Sequence, residues 1–304
     1  MPMFGMPYIG EVLSVGAALF WAVGVVLFKK SGETMEPLAL NLFKNAVAIV
    51  LLLPTIPLAG ESFAPPDQPL EAWLLLAASG VIGIAIADTM FFISLEKLGA
   101  GLTAVVDTSY TPLMLFLSVF VLSEQIGIPV YLGAALILLG MLAGSRTKPE
   151  AGKSRKDLIF GILIGVGGIG LMAVSIVMIK RVLDNSPVLW ATWVRLLAGT
   201  AVLIPMLLAS PRRGALLKSM VTARAFKFPL AAAIVGTYLA MMCWIGGMKH
   251  VDVSVATTLN QLSTIFIFVL AVIFLKEALT WRRVLAIVLA CSGGLLVALR
   301  RLLV

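Results

Sequence analysis

Two aspartates stand where a negative charge is expensive. Asp88 falls in the apolar run from Trp73 to Ser94 and Asp107 in the run from Gly101 to Val121, with the short turn Leu95-Glu96-Lys97-Leu98-Gly99 between them. Asp88 is ten residues before Leu98 and Asp107 nine after it. At a rise of about 1.5 Å per residue, both carboxylates sit roughly 14 Å or less from the turn, at matching depth on adjacent antiparallel helices. A charge at the centre of a membrane helix costs about 2.5–3.5 kcal/mol, so residues kept there tend to line a cavity or pathway. Two such acids can carry a proton or hold the ammonium of a substrate.

Two bases join them. Lys44 comes seven residues after Pro37, on a helix that enters from the same side as the Asp88/Asp107 turn. At roughly 10 Å of depth it can approach both acids. Arg195 has no evident acidic partner on its own helix, and its planar fork suits a carboxylate in bidentate fashion. A zwitterion can therefore be drawn with its ammonium toward Asp88 and Asp107 and its carboxylate toward Arg195. Plainer readings stand beside this one: Lys44 and Arg195 reach for the headgroups, and one aspartate caps the backbone of a broken helix.

An amphipathic wall is available for such a ligand. Trp21, Tyr110, Tyr238 and Trp244 supply aromatic surface, and Asn260 with Gln261 supplies neutral hydrogen-bonding groups. Trp73, Trp190 and Trp281 fit better as anchors at the membrane interface. Pro112, in Tyr110-Thr111-Pro112, removes a backbone hydrogen bond close to Asp107 and predicts a kink there. Gly161, Gly165, Gly167, Gly168 and Gly170 let one helix approach a neighbour closely. Glu124 and Glu277 stand at helix ends and read as caps or ion-pair partners, and His250 with Asp252 reads as solvated loop.

The elements that must position these residues follow from composition. Of 304 residues 61% are hydrophobic and 12% charged, with a mean hydropathy of +1.07, values that belong to a helical membrane protein and not to a soluble domain. The net charge of +8 lies in the short connections between apolar runs, where topology places it, so nucleic acid is not an expected partner. Cys243 and Cys291 sit in apolar runs as ordinary packing residues, and neither a disulfide framework nor a metal site is indicated. No cofactor is expected, and residues 1–8 lack the basic start of a removable signal peptide.

Apolar runs long enough to cross a bilayer recur ten times: 9–28, 38–58, 73–94, 101–121, 128–144, 158–179, 188–209, 228–247, 253–275 and 284–299. The polar, basic stretch 145–157 divides the chain into a first unit, 1–144, and a second, 158–304. A shift of 151 brings Gly10 onto Gly161, Lys29-Lys30 onto Lys180-Arg181, Lys44 onto Arg195 and Pro54 onto Pro205. Beyond the third run a shift of 153 brings Gly83 onto Gly236, Asp107 onto Asn260, Ser123-Glu124 onto Lys276-Glu277 and Gly140 onto Gly293. Five crossings per half is an odd number, so the second half enters from the opposite side. The expected fold class is all-α integral membrane, ten transmembrane helices as two inverted five-helix repeats. The second half has Met241 where the first has Asp88, so the site is expected to be asymmetric.

Leu19-Phe20-Trp21-Ala22 before Lys29-Lys30, the basic residues of Phe43-Lys44-Asn45-Ala46 and Trp193-Val194-Arg195, and the terminal Leu122-Ser123-Glu124 and Leu275-Lys276-Glu277 together resemble the doubled EamA-type domain of the drug/metabolite transporter superfamily. The resemblance covers nearly the whole chain. It implies an alternating-access carrier, often an exporter of amino acids or other small metabolites, and leaves the substrate open because chemistry within the superfamily is diverse. The basic loops 145–157 and 210–227 argue for termini outside the cell, whereas relatives of the fold have cytoplasmic termini.

The expected function is export of small polar or amphipathic metabolites, amino acids or organic cations, with proton coupling through Asp88 or Asp107. Import, or flipping of a lipid-linked headgroup, is the alternative on the same fold. An intramembrane aspartyl protease is the remote one, since Ile86-Ala87-Asp88 and Val105-Val106-Asp107 lack the phrases of that class. The expected partners are a small-molecule substrate and membrane lipids, the expected state a monomer or homodimer, and the expected place the plasma membrane of a bacterium or archaeon.

Overall fold

A run of apolar residues inserted in hydrocarbon must satisfy every backbone group internally, and the helix is the local way to do so. The computed structural model describes residues 8–107, 109–144, 155–221, 226–274 and 281–298, and every regular element among them is helical. In chain order these are α1 (Ile9–Ser31), α2 (Pro37–Leu58), α3 (Leu70–Ser79), a π-helical segment π1 (Gly80–Ala87), α4 (Asp88–Asp107), α5 (Tyr110–Phe120), α6 (Ile128–Gly144), α7 (Arg155–Asp184) and α8 (Val188–Ala209). There follow α9 (Arg213–Val221), α10 (Lys227–Ala232), a second π segment π2 (Ala233–Leu239), α11 (Ala240–His250), α12 (Val253–Asn260), α13 (Leu262–Phe274) and α14 (Trp281–Ala298).

Among the described residues six continuous helical stretches are long and apolar enough to cross a membrane: Ile9–Ser31, Pro37–Leu58, Leu70–Gly99, Arg155–Asp184, Val188–Ala209 and Lys227–His250. Tyr110–Phe120, Ile128–Gly140 and Val253–Ile267 are shorter apolar helices. Two runs expected as single helices are interrupted. The chain turns at Gly99, whose φ of 76° is open to glycine, and the run that follows stops at Asp107 and resumes at Tyr110. Pro112 lacks the N–H that a continuous helix would use here, and the Ser109 N–H and hydroxyl both bond to the Val106 carbonyl instead, at 3.1 and 2.9 Å. The run from Val253 is likewise broken at Gln261, between α12 and α13.

The two π segments among the described residues were not foreseen. They begin at Gly80 and at Ala233, a shift of 153, and each widens a helix where another backbone presses close. A Cβ on Gly80 would fall on the Arg195 carbonyl of α8, and a Cβ on Gly24 of α1 would fall on Gly236 of π2. Only hydrogen fits at these crossings. Gly161, Gly165 and Gly168 of α7 likewise lie against Leu98, Ser94 and Met90 of α4, so helix packing accounts for them.

One end of the bundle is stitched by carboxylates placed at helix N-termini, where free N–H groups point outward. Glu61, in the connection between α2 and α3, accepts from the Trp190 N–H at 3.0 Å. Burial pushes the Glu61 carboxyl above its ordinary 4.5, and that backbone bond works against the rise. Glu124 accepts from Val253 N–H at 2.9 Å and Ser254 N–H at 3.2 Å, so it caps α12. Glu277 lies outside the described residues, as does most of the stretch 145–157. Lys249 reaches the Ser186 carbonyl at 2.6 Å at the same end. Trp190, expected as an interfacial anchor, is instead fully buried edge-on against Trp73, with ring centroids 4.9 Å apart; Trp281 is exposed.

Candidate functional site

Most of the residues singled out in the sequence converge on one cavity of about 130 Å³. A single water needs about 10–15 Å³ on that scale, so the space admits a small organic molecule. Trp21 of α1, Lys44 of α2, Asp88 and Asp107 at the two ends of α4, Tyr110 of α5, Trp244 of α11, Asn260 of α12 and Gln261 all line it. Phe91, Gly168, Met172, Thr237 and Met241 complete much of the wall. The cavity is thus shared between residues of both halves of the chain.

Asp88 is held. Lys44 donates to its Oδ2 at 2.6 Å, and both residues are buried. The second bond of the ammonium goes to Asn45 Oδ1 at 3.0 Å. Asn45 Nδ2 donates to Asn41 Oδ1 at 3.2 Å, and Asn41 Nδ2 donates to the Ile84 carbonyl of π1 at 2.8 Å and to Thr89 Oγ1 at 2.9 Å. This chain of bonds ties α2 to the wide turn just before Asp88. The Lys44 side chain therefore does not reach for the headgroups.

Asp107 is in a different position. Its backbone carbonyl, freed by the break before α5, accepts from Gln261 Nε2 at 3.2 Å. Its carboxylate makes no ion pair and no hydrogen bond among the described residues, and it faces the cavity. The two aspartates, equivalent in depth by sequence, differ in that one is neutralised and the other is not.

The wall around them is aromatic with unspent polar tips. Trp21 packs on Phe91 at 5.4 Å between ring centroids. Among the described residues the Thr237 hydroxyl, the Trp244 indole N–H and the Asn260 side-chain oxygen are buried without a hydrogen-bond partner. Polar atoms buried in that condition are costly unless a ligand or water meets them. Among the described residues no group of three or more His, Cys, Asp or Glu side chains could hold a metal.

Two expected site residues lie elsewhere. Tyr238 is not part of the cavity lining: it sits on π2, which packs against α2, and its hydroxyl is 2.6 Å from Thr55 Oγ1 of that helix. Arg195 is fully buried and so does not reach the headgroups, but it stands behind Trp244, with its guanidinium carbon 5.7 Å from that ring centroid. Asn41 and Asn45 were missed. Their one signal was spacing: amides four apart on a helix share a face, and these flank Lys44 inside an apolar run.

The EamA-like transporter family matches this chain twice, over residues 8–145 and 159–299. A protein described as an uncharacterized transporter of Archaeoglobus fulgidus is 22% identical over 290 residues, spanning 95% of this chain and 97% of that one. One solved crystal structure superposes with a TM-score of 0.77 at 19% identity, covering 96% of this chain and 98% of the other. The chain belongs to the EamA-like transporter family. It is an integral, multi-pass membrane protein with a transport function.

Proposed function

We propose, taking membership of the EamA-like transporter family as the premise, that this chain is a secondary carrier exporting small amphipathic metabolites that bear a positively charged nitrogen. Amino acids and organic cations are the two candidate classes. The observation that carries the reading is the contrast between the aspartates: Lys44 neutralises Asp88 at 2.6 Å, which leaves the Asp107 carboxylate as the uncompensated charge on an aromatic wall. An ammonium on Asp107 gains a charge-assisted hydrogen bond, and its carbon skeleton packs on Trp21, Tyr110 and Trp244, which also attract cations through their ring faces.

Alternating access gives the cavity its two exits. The ten-crossing, inverted five-plus-five plan is supported by the two family matches and by the π segments set 153 residues apart. Proton coupling falls to Asp107 in preference to Asp88. A proton and a substrate ammonium compete for the same carboxylate, so a proton arriving from outside displaces the cation and resets the carrier.

The test is flux in proteoliposomes for a panel of labelled amino acids and organic cations, with and without a pH gradient. The reading expects gradient-driven flux of a cationic or zwitterionic member that is lost in Asp107→Asn. Flux of every such member unchanged by Asp107→Asn overturns it.

A further inference from the structure

Arg195 presents a charge that the cavity does not use. Its side chain is 0% exposed, and Nε, Nη1 and Nη2 all lack a hydrogen-bond partner among the described residues. Asp88 attracts the guanidinium from beyond ion-pair distance but is itself taken by Lys44, and among the described residues no carboxylate lies within ion-pair distance of Arg195. Its backbone cannot retreat, because Gly80 of π1 packs directly on the Arg195 carbonyl. On the Nη2 side the neighbour is Gly83, where even a Cβ would come to 3.3 Å. The fold therefore fixes the position of a fully desolvated cation and leaves its five donors unspent, a costly arrangement unless an anion meets them.

Trp244 separates this charge from the cavity. One face of the ring lies 5.7 Å from the guanidinium carbon, the residue also lines the cavity, and its own indole N–H is unpartnered. We infer that Arg195 is an anion subsite, screened from the cavity by Trp244, that takes a carboxylate-sized monoanionic group. A rotation of the indole opens the guanidinium to the cavity. The two uncompensated charges are then of opposite sign, Asp107 on the wall and Arg195 behind it. This rests on reading the cavity as the substrate site, and it selects, from the two candidate classes, ligands that carry a carboxylate as well as an ammonium. A planar guanidinium grips a carboxylate through two parallel bonds, whereas a halide takes a single point contact.

The test uses thermal unfolding of the full chain in detergent, with acetate or chloride exchanged for a bulky sulfonate at matched ionic strength. Acetate is expected to raise the unfolding temperature of the parent, to lose that effect in Arg195→Gln, and to keep a reduced effect in Arg195→Lys. In Trp244→Leu the same rise is expected at lower acetate concentration, which decides the matter if Arg195→Gln does not fold. An acetate response equal in parent and Arg195→Gln, or absent from both parent and Trp244→Leu, overturns the inference. An equal, Arg195-dependent rise with chloride retains the subsite and identifies a free inorganic anion as its occupant. A parallel series with 2-phenylethylamine and Asp107→Asn reads the cation end alone. If that amine has no Asp107-dependent effect while acetate still acts through Arg195, the anion subsite stands and the cation reading falls.

Discussion

Asp88→Asn, Lys44→Met and their combination form a double-mutant cycle on the ion pair that organises the cavity wall. The pair is 2.6 Å long, with side chains 3% and 12% exposed, so neither charge can turn to water when its partner is removed. Removing one member of a buried pair typically costs about 3–5 kcal/mol, because the other stays charged in a medium that does not solvate it. With roughly 2–4 °C of unfolding temperature per kcal/mol in mid-sized domains, each single variant should lose on the order of 6–20 °C. Lys44 retains Asn45 as a neutral acceptor after Asp88→Asn, so that variant belongs at the lower end. The double variant removes both charges and keeps similar volume, and it should recover to within about 1–2 kcal/mol of the parent. The assay is apparent unfolding temperature in detergent, supported by reversible unfolding where it can be reached. A double variant as unstable as the sum of the two singles would refute the pair as a closed electrostatic unit.

Three further outcomes rest on particular contacts. Gly80→Ala should destabilise by about 1–3 kcal/mol, since its methyl meets the Arg195 backbone, while Gly170→Ala, with open space around it, should be neutral in the same unfolding assay. Glu124→Ala should cost about 1–2 kcal/mol through loss of the α12 cap and speed amide exchange at Val253 and Ser254, whereas unchanged exchange there would show the cap to be idle. Glu61 has its folded-state proton affinity raised by burial, so the folded chain binds the proton more tightly than the unfolded one, and its contribution to stability declines as pH rises from 4.5 through the raised value. The stability difference between parent and Glu61→Gln should therefore shift against the parent over that window, and a shift in the opposite direction would show that the Trp190 bond outweighs burial.

Much of this site was legible because depth in a membrane helix is arithmetic. Counting from Leu98 put Asp88 and Asp107 at one level, counting from Pro37 put Lys44 beside them, and the structure brings all three to one cavity. Counting could not say which acid Lys44 would take, since that depends on the width of the turn at π1. The π segments themselves left no trace in the sequence: residues 80–87 are apolar all round, so a wide turn and a normal one have the same pattern. The interruption at Asp107 was signalled by Pro112, whereas the one at Gln261 has no proline or glycine to announce it. Arg195 and Tyr238 stand behind the cavity lining, which counting along a helix could not show, because rotation about a helix axis is set by packing partners such as Trp244 and Thr55. Trp190 was misread for a related reason, since the sequence cannot show that Trp73 covers it.

The most direct measurement of the central claim, that Asp107 is the free acid of the substrate cavity, is carbodiimide labelling read by mass spectrometry. A hydrophobic carbodiimide modifies accessible, protonatable carboxyl groups within the membrane and spares those locked in an ion pair. Asp107 should be modified, Asp88 should be spared, and an aromatic primary amine should protect Asp107 in a concentration-dependent way. Labelling of Asp88 in preference to Asp107, or labelling of Asp107 that no amine slows, would contradict the account.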